Sequence, residues 1–395
     1  GDNRNLHSFP TRRSSDLGGR VTISNGMLNV RSAGFTPEPS GITTNVYLTV
    51  RGVAFETLSA TFSAAYAVFD GGSLWVSNRF SVGGVGRGWA TVRLEGGAAV
   101  GVTNEFFVAY DTGATGTVVN AGGVLRYSGA TCVVGRNGYG ELILNSGTKR
   151  VDRTTPLGAT STATGVLRVT GGSNTFGTVT NDRLNIGDQG RGFLEAEGGT
   201  NNTMGIVAGN GVGGVGTMTF SGGRWNIAEH MWSGLGGSGT VTVAGGEVRF
   251  TGGGPVLAIG RNAGSTGTVT VAGGLMDMGG NGSVWMGRMD SGTIAPIARL
   301  VLTGTGTLRT RKIFEYVTGS AAVSQILFDG GTLQASGPDT LVQPVDDVRL
   351  TANGMVVDSA GFNVSVVPEL QDAAGEAGAV VKKGAGSLRM AGHIG

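Results

Sequence analysis

Cysteine, histidine and proline are all scarce in this chain of 395 residues, which carries one Cys, three His and nine Pro. The single Cys132 excludes an internal disulfide framework and any CxxC metal site. Of the histidines, His7 lies in an anomalous N-terminal run, His230 sits between Glu229 and Met231, and His393 stands near the last residue. Imidazoles so scattered argue against a Ser-His-Asp triad or a His-rich metal site, and no cofactor is expected. Charge is also thin. Twenty-nine Lys and Arg against 27 Asp and Glu leave a net +2, which gives no electrostatic case for nucleic acid or an acidic membrane. No apolar run reaches the roughly 18 residues of a membrane-spanning helix. Glycine-free stretches of helical length do not recur at a regular period either, which disfavours a helical solenoid.

What the chain has in abundance is glycine, 76 residues of it, and the glycines are ordered. The second members of Gly-Gly pairs stand at Gly72, Gly97, Gly123, Gly172, Gly199, Gly223, Gly246, Gly274 and Gly331. The short intervals are about 25 residues, and the double interval from Gly123 to Gly172 spans a degenerate unit around Ser146-Gly147; a period in this range marks a solenoid or array. The clearest copies run Thr240 to Phe250 and Thr268 to Met278. Each holds two β-branched segments of period 2 broken at the Gly pair, and a third short segment follows, as in Leu257-Ala258-Ile259 and Val284-Trp285-Met286.

Three strands and about 25 residues per unit predict an all-β fold, a right-handed parallel β-helix. Alternation turns Val241, Val243, Val248 and Phe250 inward and Thr240, Thr242, Glu247 and Arg249 outward. Val269, Val271, Met276 and Met278 are the equivalent inward residues one coil on. A lone coil buries too little to offset ordering its backbone, so several must stack. Some eleven coils would make a rod roughly 50 Å long. The Gly pairs supply either a positive φ or a close backbone approach at the corner.

Three segments are expected. Residues 1–17 contain the run His7-Ser8-Phe9-Pro10-Thr11-Arg12-Arg13-Ser14-Ser15-Asp16-Leu17, which resembles the translation of a sequencing adapter and is set aside as a tail foreign to the fold. Residues 18–340 form the repeat solenoid, and 341–395 add further coils that stop within a repeat, as expected of a piece of a longer reading frame.

From about Gly18 to Ala335 the pattern is similar to the repeat of type V secretion passengers and PEP-CTERM proteins, seen in Ile259-Gly260 leading to Gly267-Thr268-Val269-Thr270-Val271-Ala272-Gly273-Gly274. Met355 to Val364, followed by Val380 to Gly392, resembles the autotransporter-associated β-strand repeat, with Ser387-Leu388-Arg389-Met390-Ala391-Gly392 where that family has Thr-Leu-Thr-Leu-Ser-Gly. The resemblance implies a secreted passenger at the bacterial cell surface, associated with the outer membrane. Flanking repeats or a barrel would belong to the same parent chain. It brings no catalytic residues.

Other motifs read as structure. Gly211-Val212-Gly213-Gly214-Val215-Gly216 lacks the helix and the Lys-Ser/Thr pair of a phosphate cradle and reads as a turn. Gly279-Gly280-Asn281-Gly282 lacks the acid of a calcium nonapeptide. β-Helices also host polysaccharide lyases and hydrolases, which need clustered carboxylates on one face. Asp346 with Asp347, and Glu195 with Glu197, are the pairs available, and neither has a convincing partner.

One surface feature invites a ligand. Aligned third strands put Trp232 and Trp285 at one outward position two coils apart, with Arg261 and Arg288 at the following corners. Exposed Trp beside Arg suits sugar rings bearing uronic or sulfated groups; the competing reading covers both rings with loops or with a neighbouring module. The expected protein is a non-enzymatic surface stalk or adhesin-like passenger. Its partners would be surface polysaccharide or a host or neighbouring cell, with a polysaccharide-active enzyme or carbohydrate-binding protein as the alternatives.

Overall fold

In the computed structural model, which describes residues 21–29, 46–62, 65–84, 88–288, 294–316 and 322–392, strands stack coil upon coil and no helix occurs among the described residues. His7, the adapter-like run and His393 lie outside them. The fold is a parallel β-solenoid of about 12 turns of roughly 25 residues. One turn is made of Ser238–Val243, Glu247–Phe250 and Val256–Ile259, and the next of Thr266–Val271, Leu275–Asp277 and Ser283–Met286. These strands pair in parallel and in register, Val241 on Val269, Val248 on Met276 and Leu257 on Val284. The period read from the glycines is therefore the length of one coil.

The inward positions behave as the alternation requires. Val241, Val243, Val248, Leu257 and Ile259 are fully buried with Phe250, and so are Val269, Val271, Met276, Met278, Val284 and Met286 one coil on. Thr240 and Arg249 are exposed and Thr242 and Glu247 half-buried. Each inward row thus runs along the axis as a ladder of apolar side chains, and residues 60–370 contribute to one continuous core.

The two glycines of a pair divide the work. Gly246 takes the positive φ (67°), whereas a Cβ on Gly245 would collide with the Ser221 carbonyl of the preceding coil. A second pair of glycines locks consecutive coils at the third corner: Gly260 has φ 62° and donates its N–H to Ser233 O at 2.8 Å, and a Cβ on Gly267 would strike Gly260 N. The spaced glycines of the repeat are therefore steric requirements of stacking. Gly211 to Gly214 form a turn into Val215–Phe220, as expected.

The last turns continue the solenoid. Met355–Asp358 pairs with Val380–Lys383, and Val364–Val366 with Leu388–Met390. Inward burial persists to Val357, Val364 and Val366, then falls at Val380–Lys383.

Candidate functional site

The third strand of each coil presents one outward column, and its register reads Asn185, Val207, Trp232, Ala258, Trp285, Phe314. Trp232 and Trp285 therefore share the outward position two coils apart, about 10 Å along the axis. Ala258 between them is small, which leaves both indoles room. Gly260 and Gly287 turn the chain after the strand and carry Arg261 and Arg288 at the corner. The structure brings all four residues to one groove of about 440 Å³, lined also by Glu229, His230 and the loop Gly252 to Pro255.

The expectation of an exposed Trp232 is corrected. Its indole is only 8% exposed, packed on Val207 and Ala258. His230 stacks on it at 4.0 Å between ring centroids, and the guanidinium carbons of Arg183 and Arg261 each lie 4.2 Å from the ring centre. The cover comes from side chains of its own and neighbouring coils. Arg183 reaches it because its register partner is Gly205, which in turn faces His230; a Cβ on Gly205 would meet His230 Nε2 at 3.0 Å. Trp285 is half-buried, with Tyr316 stacked at 4.7 Å, Arg288 4.9 Å from its centre and its Nε1–H donated to Ser283 Oγ at 2.9 Å.

Sequence reasoning missed two members of this cluster, Arg183 and His230. Counting back two coils from His230 in the third-strand frame, by way of Gly205, locates Arg183. The local chain at His230 is irregular: the strand Arg224–Ser233 carries one residue more than its partner between the second and third columns, a bulge that re-aims Glu229 and His230.

The electrostatics are unusual. Burial, then Arg183 and Arg261, lower the His230 pKa to about 4, so the imidazole is neutral at pH 7. Its Nε2 and the Arg183 Nε are buried without a hydrogen-bond partner. Burial and the like charge of Arg261 push the Arg183 pKa down, against the pull of Glu229. Glu229 lies 3.7 Å from His230 Nδ1 and accepts the Asn181 N–H at 3.4 Å. A second aromatic and cationic cluster on the same face behaves oppositely: Arg79, over Phe107 and Tyr110 with Arg136, is paired with Glu105 at 2.6 Å, which raises its pKa. In the cluster around Trp232 it is Arg183 that lies buried against the like charge of Arg261.

The acids singled out from sequence are placed as follows. Glu195 is ion-paired with Arg168, which also binds Glu141 at 2.7 Å, and Glu197 is exposed at its corner. Asp347 accepts from Arg349 at 2.9 Å and Gln325 at 2.7 Å, while Asp346 turns to the N–H of Ser324 at 2.8 Å. Glu315, not anticipated, accepts the Ser324 hydroxyl at 2.7 Å; burial, with Asp346 adding to it, raises its pKa. No group of three His, Cys, Asp or Glu side chains is arranged to hold a metal among the described residues. No helix there is long and apolar enough to cross a membrane. Comparison with family models, curated proteins and solved structures gave no match.

Proposed function

We propose that the chain is a rigid, non-enzymatic stalk segment of a secreted bacterial surface protein, an adhesin-like passenger that presents its lateral face to surface polysaccharide or to a neighbouring cell. The observation that carries this reading is the in-register stacking of three strand columns through about 12 turns. Such a rod has its length set by coil number and its stiffness by a continuous core, the properties a spacer needs. The repeat resemblance supports the same reading. The test is to sequence the parent locus outward on both sides and to probe the intact cell with antibody and external protease. A leader upstream, a barrel or sorting helix downstream, and labelling of unbroken cells are the expected outcome. A cytoplasmic, protease-shielded product overturns it.

A polysaccharide-active enzyme is the second reading, and the observation that favours it is the meeting of Glu315 and Asp346 at Ser324. Turnover of an acidic polysaccharide, abolished by Glu315→Gln, would establish it.

A further inference from the structure

The aromatic filling of the core comes in two separate stacks. Phe62, Phe80, Phe106 and Tyr127 follow one another along the axis with ring centroids 5.7, 5.4 and 6.3 Å apart. Further on, Phe176 and Phe220 pack on Trp225 at 5.9 and 5.5 Å. Between the two stacks lies the coil made by Tyr139–Val151 and Thr155–Leu157. No aromatic ring fills its inward positions. Lys149 stands on Leu125 and Val151 on Tyr127, while the pairing of Leu157 with Val134 brings Thr155 over Cys132, which itself stands on Phe106.

Three further observations mark this coil as a weak joint. The Lys149 Nζ is buried without a hydrogen-bond partner. The polar groups near it are engaged elsewhere: Asn174 donates to Gly171 O and to Asn201, and the Tyr127 hydroxyl donates to Asn104 O at 2.6 Å. The register with Thr115–Tyr127 also slips twice, at Asn120/Ala121 and at Ala121/Val124, at the corner where Ser146-Gly147 stands in place of a Gly pair. The titratable groups that face Lys149 from the strands packed against it are Tyr127 and Cys132. Burial raises the pKa of both, so neither offers the ammonium a counter-charge below neutral pH. The ammonium regains its hydration only when the coil opens.

We propose that the coil of residues 139–157 is an acid-gated break in the rod: it opens before the coils on either side when the surroundings turn acid, and the two aromatic stacks that flank it stay folded. The break belongs to the fold itself and does not depend on where the rod is displayed. Charge linkage supplies its signature. Burial lowers the Lys149 pKa from 10.5 to about 7 in the closed coil, and water in the opened coil restores it. Opening therefore takes up a proton between these values. It is favoured about tenfold for each pH unit of fall toward 7 and levels off below that.

The chain carries its own reporter, because Cys132 is its single thiol and is buried in the joint. The experiment labels the native full chain with a thiol reagent between pH 6 and 9, dilute enough that the rate tracks the opening equilibrium, and divides each rate by that of the urea-unfolded chain at the same pH. The expected normalised rate is at least about tenfold higher at pH 6 than at pH 9, with a plateau below 7. Lys149→Met should lower the rate at pH 6 by at least about tenfold and flatten the profile. Lys149→Gln, which keeps the polarity and removes the charge, should also give a flat profile. A thiol moved into the sealed stretch, Val243→Cys on a Cys132→Ser background, should react more slowly than Cys132 and without this pH dependence. An equal rate at position 243, a profile that survives either substitution of Lys149, or a Cys132 no more reactive at pH 6 than at pH 9 overturns the proposal.

Discussion

The inward row of the second strand changes character along the rod. From Trp225 through Val248, Met276, Leu308 and Leu333 it is apolar and sealed; just before, in register, it reads Lys149, Asn174, Asn201. The two asparagines are satisfied. Asn174 donates to Asn201 Oδ1 at 2.8 Å and to Gly171 O at 3.1 Å, and Asn201 donates to Gly198 O at 3.1 Å, so each ties the corner that precedes it. Lys149 is not: its Nζ has no hydrogen-bond partner and lies 4.0 Å from the Phe176 ring centre, near the buried Cys132. Stacking thus tolerates polar rungs where amides close on one another, and a single unmatched amine where they do not. The lesson is that the register fixes which position faces inward, while the chemistry of that position is set rung by rung.

The sharpest way to break the comparison is to place a charge in the sealed stretch. Val269 lies between Val241 and Leu300 with no polar neighbour in its row. Val269→Asp should cost about 3–5 kcal/mol, the scale of an uncompensated buried charge. Urea unfolding should show a lowered midpoint and early loss of the coils on either side; an unchanged midpoint would mean that the core is far less dry than its packing implies.

Removing the misfit from the polar stretch works in the other direction. Burial lowers the Lys149 pKa to about 7, against 10.5 when the side chain is free. Below pH 7 the amine is charged in both states and the folded chain bears the whole penalty. Between pH 7 and 10.5 the unfolded state binds more protons, so stability rises with pH and the penalty is gone above that range. Lys149→Met, similar in volume and apolar, should therefore stabilise by about 4 kcal/mol at pH 6 and by little near pH 11. The wild-type rise in unfolding free energy across this window should vanish in the variant. A persisting slope would assign it to another group.

Much of this was legible in the sequence and some was not, for reasons that differ by residue. The Gly-Gly spacing reports a steric demand of every corner, so the coil length and the faces of Val241, Val243, Val248 and Phe250 could be read directly. Alignment of the third segments also puts Trp232 and Trp285 in one column. Coverage was not legible, because Arg183 reaches Trp232 across Gly205, a contact between residues some fifty positions apart that single-coil alternation does not contain. Lys149 was hidden by the loss of its Gly pair. Yet Ser146-Gly147-Thr148-Lys149 aligns with Gly245-Gly246-Glu247-Val248, and that alignment alone puts the lysine inward.

The smallest effect belongs to the outer surface, where the two stretches ought to be alike. Glu141, Arg168 and Glu195 form an ion-pair ladder on three successive coils, and the guanidinium is 43% exposed. Both carboxylates and the neighbouring Tyr139 favour the cation, which raises its pKa, but solvent screens the gain. Arg168→Gln should change stability by less than about 1 kcal/mol, with the difference shrinking further in 1 M salt. Measured beside Lys149→Met in the same background, it separates inside from outside: a charge of the same sign, on the neighbouring coil, matters when its row is dry and hardly at all when its row is wet. A loss at Arg168 approaching that at Val269 would mean that the ladder, and not the apolar rows alone, holds the coils together.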